Sequence, residues 1–408
     1  MGRLVWVGVA AVVLSVVPGR GFQDAAQQEP AQTGSPQPPQ PVADPAAQAL
    51  VARLDLEKYK ATIKGLTQFG DRRQGTDRNR AAIDWIEAQL KSYGCTNTAR
   101  IKYDYQPAPR TEGTGQRGRG GRGGAPQKGF RGRTGVNNDP TRQPDEKLRA
   151  LNSQPSTPGL REEVYCTKIG SKAPGEMYII GGHMDGIGYG EAANDDGSGT
   201  AIVMELARIF NSPDVQTDRS IRFILWNNEE SGLNGSRAYV EQRRELQGKE
   251  DPPGSGKYPE PKWLGVIQHD MMMFDHGMPR ADGTLSPEQR PEADVNIEFA
   301  GTSKMAAEAQ ALAWAFRAAN DRYATDYPAA VGNRMQSTDS VPFQDYVAAI
   351  SLRENERGAH IGSGWDPHWH QPTDMYSTFS DKDFRLGLNA AQTTLAAIAQ
   401  LTGATITR

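Results

Sequence analysis

Four short stretches of the sequence carry histidine and acidic residues at spacings that suit metal ligands. The first begins with His183 and Asp185 and ends with the pair Asp195 and Asp196, and it is rich in glycine. Glycine lets a backbone come close to a bound group, and zinc accepts imidazole and carboxylate ligands. The other stretches are Asn227-Asn228-Glu229-Glu230, His269-Asp270 and P-H-W-H-Q-P-T-D, which begins at Pro367 and contains His368 and His370. The sequence therefore predicts a metal site built from several separate segments.

The first three stretches each follow an apolar run that we predict to be a strand. The runs are Tyr178-Ile179-Ile180, Ile224-Leu225-Trp226 and Val266-Ile267-Gln268. In open α/β sheets, sites form where the carboxyl ends of strands meet loops. We therefore expect the acidic and imidazole groups to gather at one edge of a sheet.

Strands and helices alternate along most of the chain. Such alternation predicts an α/β fold with a mixed, largely parallel central sheet and helices on both faces. A single domain over 46–408 would hold all of these elements. The predicted strands cover 101–105, 163–169, 177–182, 221–226, 263–268, 295–299 and 347–352, and the predicted helices cover 81–93, 202–210, 236–246, 305–320 and 388–401.

The residue types suit hydrolysis assisted by two metal ions. Two cations about 3.5–4 Å apart can lower the pKa of a shared water and polarise a carbonyl group. Adjacent glutamates make sense at such a site, because one can bind metal while the other shuttles a proton to the leaving amine. Asp185 lies two residues beyond His183, where its carboxylate is well placed to accept the second imidazole N–H. The alternative for Asp185 is that it only caps a turn.

Five motifs in order resemble those of the M28 family of zinc-dependent exopeptidases. They are H-M-D, A-N-D-D-G-S-G, N-E-E-S-G-L-N-G-S, H-D-M and H-Q-P-T-D. The resemblance runs from about Leu56 to the end of the chain, apart from an Arg-Gly insertion. It implies a phosphorylase/hydrolase-like fold of the zinc exopeptidase type and two zinc ions.

The resemblance also assigns roles to individual residues. It implies that His183 and Asp270 bind one zinc, that Glu230 and His370 bind the other, that Asp195 bridges both, and that Glu229 is the general acid and base. Family members often carry a cis peptide after the bridging aspartate, so the bond between Asp195 and Asp196 is a candidate.

Several neighbouring residues compete for these roles. Asp196 is as close in sequence as Asp195, and His368 competes with His370 because residues i and i+2 of an extended segment point the same way. We expect His269 to face away from Asp270 and to be structural. Asp339, in S-T-D-S-V-P-F, resembles a stretch that lines the substrate cleft of the family, whereas His276 and His360 lie in no motif.

The sequence departs from the family at the group that steadies the oxyanion. Relatives often use a tyrosine, either just before the last histidine ligand or a few residues before the Ser-Asp stretch. Here these positions hold Trp369 and Met335. The indole N–H of Trp369, or Arg334, could serve instead. Loss of one oxyanion donor can lower the rate by about 10²–10³.

The N-terminus is predicted to direct export. Arg3 precedes an apolar run over 4–17, which is shorter than the ~20 residues of a membrane span and fits a secretory signal over 1–21. An uncleaved anchor is the alternative. A disordered linker rich in Pro, Gln and Ala follows over 22–45. The protein would then be secreted or periplasmic, where conditions are oxidising. We therefore expect Cys95 and Cys166 to form a disulfide, with two buried free thiols as the alternative.

An Arg-Gly tract at 116–133 lies within a predicted disordered insertion over 107–160. Such tracts can bind RNA, but a solvated loop between two strands is the preferred interpretation, and it predicts that catalysis survives removal of 107–160. The net charge of −3 over 408 residues also argues against a nucleic-acid partner or a stable membrane partner.

These features predict an exported di-zinc exopeptidase that hydrolyses N-terminal residues of peptides. A carboxypeptidase or dipeptidase on the same scaffold is the nearest alternative. A single-zinc glutaminyl cyclase fits less well, because the two-metal ligand set is complete. An inactive binding module is a further alternative, and such modules normally lose ligands.

Overall fold

The structure is a computed structural model that describes residues 43–107, 135–275, 295–354 and 366–407. These residues belong to one compact unit that begins at Ala43. The predictions for the signal segment, the linker up to residue 42, the Arg-Gly tract, His276 and His360 lie outside the described residues. Within the described ranges, no helix is both long enough and apolar enough to cross a bilayer.

An eight-stranded mixed sheet forms the centre of the fold. In spatial order its strands are β1 (Ala99–Tyr105), β2 (Gly159–Lys168), β5 (Arg219–Trp226), β3 (Ala173–His183), β6 (Lys262–His269), β9 (Ala349–Arg353), β7 (Val295–Phe299) and β8 (Ala329–Gly332). The central strands β5, β3, β6 and β9 run parallel. Strand β2 pairs antiparallel with both β1 and β5, whereas β7 pairs antiparallel with β9 and parallel with β8. Short strands β4 (Val215–Gln216) and β10 (Thr405–Ile406) pair separately. The predicted fold class is confirmed.

Helices cover both faces of the sheet. They are α1 (Pro45–Val51), α2 (Leu56–Thr67), α3 (Asp77–Ser92), α4 (Glu146–Asn152), α5 (Gly197–Phe210), α6 (Asn234–Arg243), α7 (Ala306–Tyr323) and α8 (Asp381–Thr402). Side chains of α5, α7 and α8 share one apolar core with one face of the sheet, and α6 packs in a second core on the other face. Neighbouring residues Ile179 and Ile180 of β3 enter opposite cores, which explains why this part of the strand is apolar on both faces.

The strand register brings three of the predicted ligand loops to the same level. His183, the last residue of β3, lies opposite Trp226 of β5, and Gly182 lies opposite His269 of β6. The chain therefore leaves all three strands side by side at their carboxyl ends. This is the edge at which the sequence predicts a site.

The predicted disulfide is present. Cys95, just beyond the end of α3, is bonded to Cys166 of β2, and both half-cystines are buried. The bond connects the helical layer to the central sheet. The cis peptide predicted between Asp195 and Asp196 is also present.

The prediction of a disordered insertion over 107–160 extends too far along the chain. A 3₁₀ turn at Pro140–Arg142 and the helix α4 lie within this range. The side chains of Asn137, Gln143 and Asn152 are buried there and hydrogen-bonded to distant loops. Composition does not reveal such long-range partners, which let a polar segment become ordered. The sequence patterns also do not predict α1, α2 or the short β8.

Candidate active site

Two imidazoles and several carboxylates converge at the carboxyl edge of the sheet. Nε2 of His183 lies 3.2 Å from Oδ1 of Asp195 and 3.8 Å from Oδ1 of Asp270. Nε2 of His370 lies 2.9 Å from Oδ2 of Asp195 and 2.9 Å from Oε2 of Glu230. The two oxygens of one carboxylate thus face two different histidines, which is the arrangement that a bridging ligand requires.

The donor set fits divalent metal ions such as zinc. His183, Asp195 and Glu230 place ligand atoms within 4.8 Å of one another, and so do His183, Glu229 and Asp270. Distance alone therefore does not separate Glu229 from the ligands. Oε1 of Glu230 is buried and has no hydrogen-bond partner among the described residues. Nitrogen and oxygen donors in this number are typical of zinc sites.

Closely spaced carboxylates dominate the electrostatics of this cluster. Burial by itself would lower the pKa of His183 and of His370, but the surrounding carboxylates outweigh it and raise both pKa values well above the ordinary value. Burial raises the pKa of Glu229 strongly and that of Glu230 to about 7. The carboxylates thus favour positive charge at the cluster, which suits the binding of metal cations.

The carboxylate of Asp185 has a different partner from the predicted one. Nδ1 of His183 meets the main-chain oxygen of Asp185 at 2.9 Å, whereas Oδ1 of Asp185 accepts the main-chain N–H of Glu229 at 3.0 Å. Because the chain turns away directly after β3, the carbonyl lies beside the ring and the side chain reaches across to the loop after β5. A carbonyl can only accept, so Nδ1 donates and Nε2 stays available as a ligand. Asp185 thus orients the loop that carries Glu229.

Asp196 is engaged by backbone donors and does not face the imidazoles. Its Oδ2 accepts the N–H of His183 at 2.9 Å, and its Oδ1 accepts the N–H of Gly199 in the first turn of α5 at 2.8 Å. Asp374 plays a similar supporting role, since its two oxygens accept the N–H groups of Asn194 and Asp195. The cluster is therefore held by a frame of carboxylates that bond to the backbone.

The competing histidines lie apart from the cluster. His368 pairs through Nδ1 with Oγ1 of Thr373 at 2.9 Å. His269 faces away from Asp270, as predicted, and contacts Gly181 and Thr394 on the side of α8. Burial lowers the pKa of His269 to about 4, so this ring is neutral.

An open cleft of about 370 Å³ lies over the cluster. Trp369 lines it and stacks on the ring of His370 with centroids 4.0 Å apart. Met335 is instead buried in the second core, and Arg334 is not among the residues that line the cleft. Of the alternative oxyanion donors proposed from the sequence, Trp369 is therefore the one at the site.

Asp339 lies behind the cluster and does not line the cleft. Its Oδ1 accepts a hydrogen bond from Oγ of Ser236 at 2.6 Å. Burial raises its pKa to about 7. Asp339 interacts electrostatically with Asp185 and Glu229 but lies outside the cleft, so its position supports an indirect role.

Two arginines near the site escape the sequence motifs. The guanidinium of Arg353 pairs with Oδ2 of Asp270 and lies at the end of β9, so its place at the carboxyl edge of a predicted strand could have revealed it. Arg237 of α6 lines the cleft, and its Nε donates to the carbonyl of Gly232 at 3.1 Å. No motif in the sequence singles out Arg237.

The family profile of peptidase family M28 matches residues 165–394. With the fold and the edge cluster described above, the chain belongs to this family. The matched range contains every residue of the cluster. The signal that identifies the family therefore coincides with the candidate site.

Similar proteins include peptidases of more than one kind. The chain is 44% identical over 82 residues to a probable lipoprotein aminopeptidase LpqL of Mycobacterium tuberculosis, covering 20% of this chain and 16% of that protein. It is 36% identical over 73 residues to carboxypeptidase Q of Xenopus laevis, covering 18% of this chain and 16% of that protein. The matches thus span about one sixth of these relatives.

The fold is similar to that of a solved peptidase. The zinc aminopeptidase BSAP of Bacillus subtilis superposes with a TM-score of 0.57 at 16% identity, covering 85% of this chain and 95% of that chain. At this identity the likeness shows the fold alone. Activity and substrate must be inferred from the site itself.

Proposed function

We propose that this protein is an exported di-zinc exopeptidase that hydrolyses N-terminal residues of peptides. The observation that carries the proposal is the carboxylate of Asp195, whose two oxygens face His183 and His370 separately. Asp270 lies on the His183 side and Glu230 on the His370 side. His183 and Asp270 would hold one cation, and Glu230 and His370 would hold the other.

Two zinc ions, when bound, would lower the pKa of a water at the site and polarise the scissile carbonyl. Glu229 would take the proton from this water and deliver it to the leaving amine. Its main-chain N–H is held by Asp185, so the loop is fixed before substrate arrives. Trp369 lines the cleft, where its indole N–H would face the developing negative charge.

Export is supported by the apolar run near the N-terminus and by the disulfide between Cys95 and Cys166. One relative is itself named a lipoprotein aminopeptidase. We therefore propose that the enzyme acts outside the cytoplasm on peptide substrates.

The test of this function is hydrolysis of matched peptides with a free, an N-acetylated or a C-amidated end, with zinc present and after chelation. We expect cleavage that requires zinc and a free N-terminus. Glu229→Gln should lower kcat by about 10²–10⁴ because the proton shuttle is lost. Zinc content measured on the same sample is the control, since Glu229→Gln leaves all of the proposed metal ligands in place. Undiminished activity in Glu229→Gln would contradict the assigned role.

A second function, removal of C-terminal residues or cleavage of dipeptides, is favoured by Arg237. This side chain lines the cleft, and a guanidinium binds a carboxylate through two parallel hydrogen bonds. If the C-terminal carboxylate of the substrate binds there, Arg237→Gln should lower kcat/KM for a free dipeptide by about tenfold or more and leave its C-amidated form unchanged. Arg243→Gln, at the end of the same helix and outside the cleft lining, is the matched control. Equal effects on both peptides would contradict a carboxylate site.

A further inference from the structure

Residues 135–152, here called the strap, lie against two loops that adjoin or contain proposed ligands of the candidate site. One is the loop 186–191, between His183 and Asp195, and the other is the loop 368–374, which contains His370. The strap lies within the insertion over 107–160, before the range 165–394 that the family profile matches.

The two loops touch each other through their backbones. A Cβ at Gly188 would lie 2.4 Å from the carbonyl carbon of His370, and a Cβ at Gly190 would lie 2.7 Å from the carbonyl oxygen of Asp374. Gly188 has a φ of +100°. Glycine at these positions therefore permits a contact that any side chain would prevent.

The strap bonds directly to the residue that carries the second imidazole. The main-chain N–H of Asn137 donates to the carbonyl of His370 at 3.0 Å, and Nε2 of Gln371 donates to the carbonyl of Gly135 at 2.7 Å. His370 has a φ of +56°, a conformation that residues other than glycine adopt only where their surroundings hold it. The strap supplies part of those surroundings.

Buried amides of the strap bridge the two loops. Nε2 of Gln143 donates to the carbonyl of Tyr189 at 2.8 Å and to that of Pro372 at 3.0 Å, which joins both loops through one nitrogen. Nδ2 of Asn137 donates to the carbonyl of Gly188 at 3.1 Å, and Nδ2 of Asn152 donates to that of Gly190 at 2.7 Å. All three amides are buried, so a lost bond would leave polar groups without partners.

We infer that the strap positions the His370 loop against the loop after β3 and so sets the zinc affinity of the Glu230–His370 half of the site. His183 ends a central strand and has the sheet to hold it, whereas His370 depends on loop contacts. Gln143 and Asn137 are positioning residues in this scheme. The part of this inference that concerns zinc affinity rests on the proposed di-zinc function.

The test compares Gln143→Glu and Asn137→Ala with wild type in the full chain. Gln143→Glu keeps the shape but replaces both donors by acceptors, and Asn137→Ala is the milder change. We expect the weaker of two zinc sites to lose about 10–100-fold in affinity, as is usual for groups that support ligands, while the tighter site is unchanged. Isothermal titration calorimetry with zinc measures the affinity of each site separately.

Amide hydrogen exchange of the metal-free protein gives an independent readout. We expect peptides covering 186–191 and 368–374 to exchange faster in both variants, while α5 exchanges at the wild-type rate. Asn138→Ala is the matched control and should behave as wild type, because Asn138 is exposed and its side-chain amide donates to the nearby carbonyl of Val136.

The outcomes separate the strap from the proposed function. If wild type cleaves no peptide or binds fewer than two zinc ions, the proposed function fails. The exchange rates still test whether the strap positions the two loops. Unchanged exchange in both loops would overturn the inference. Equal weakening of both zinc sites, together with faster exchange throughout the domain, would also overturn it, because the strap would then be a general stabilising element.

Discussion

Asp195 shows how much of the candidate site depends on the orientation of single carboxylates. Its neighbour Asp196 has the same chemistry, yet the two side chains have opposite surroundings. Asp195 faces two imidazoles, whereas Asp196 accepts N–H groups from the backbone of His183 and Gly199. Their adjacent positions in the sequence do not decide which of the two is the ligand, and the resemblance to the family indicates Asp195. The structure separates them by the partners of each oxygen.

Asp339 offers a test of the buried electrostatics at the residue scale. Its folded pKa of about 7 lies above the ordinary value of 3.8, so between these pH values the folded state holds a proton that the unfolded state has lost. The contribution of Asp339 is thus fully favourable at low pH and is lost as the pH rises towards 7. We expect Asp339→Asn to remove this loss and to stabilise the metal-free protein relative to wild type at pH 8 more than at pH 5.

Urea unfolding of metal-free wild type and variant at both pH values measures this difference. Asp326→Asn, which changes an exposed carboxylate, is the matched control. A difference between variant and wild type that does not change with pH would show that Asp339 does not titrate in this window.

At the scale of elements, the site is held by supports that come from several segments, some inside the motifs and some outside them. Asp374 fixes the peptide before α5, Asp185 fixes the loop after β5, and the strap joins two loops. The segment between α2 and α3 adds a further support through Arg72, whose side chain is fully buried. These supports come from parts of the chain far apart in sequence.

Arg72 donates three hydrogen bonds to the loop after β3. Its guanidinium donates to the carbonyls of Met184, Gly70, Glu191 and Ala192. Arg72→Ala would leave these buried acceptors without that donor, at about 1–3 kcal/mol for each group that stays unsatisfied. We expect a loss of about 3 kcal/mol or more in the free energy of unfolding, measured with guanidinium chloride.

Arg73→Ala is the control for Arg72→Ala, because Arg73 is partly exposed and stacks over Tyr189. A loss for Arg72→Ala no larger than that for Arg73→Ala would contradict the supporting role. Water entering the space of the guanidinium could replace some of the lost bonds, so the measured value also reports how far the loop relaxes.

At the scale of the whole molecule, the insertion divides into two parts with different expectations. Residues 135–152 contact the candidate site, whereas 108–134 lie outside the described residues. The sequence predicts that catalysis survives removal of 107–160. That deletion would also remove the strap, on which the loop of His370 depends. The experiment needs a narrower change.

Replacement of 108–134 by a Gly-Ser linker of the same length keeps the strap and removes the Arg-Gly tract. We expect kcat/KM on peptides within about twofold of wild type, since the catalytic cluster and its supports are unaltered. Retention on a heparin column, compared with wild type at the same salt concentration, reports any polyanion binding by the tract. A large loss of activity with retained zinc would contradict this division.

The sequence by itself determined the fold class, the edge at which the site forms and the residue types that build it. These follow from local patterns, since apolar runs and their spacing predict strands and helices, and parallel strands end at a common edge. The disulfide between Cys95 and Cys166 could also be predicted from the sequence, because the chain has two cysteines and the predicted export implies an oxidising compartment.

Only the tertiary structure decided which partner each polar group finds. The carbonyl rather than the carboxylate of Asp185 meets His183, Arg353 pairs with Asp270, and the polar strap is ordered. Such contacts join residues that are far apart in the chain, and they depend on how loops cross at the sheet edge. Local composition does not encode that crossing, so a buried amide and a solvated one look the same in sequence.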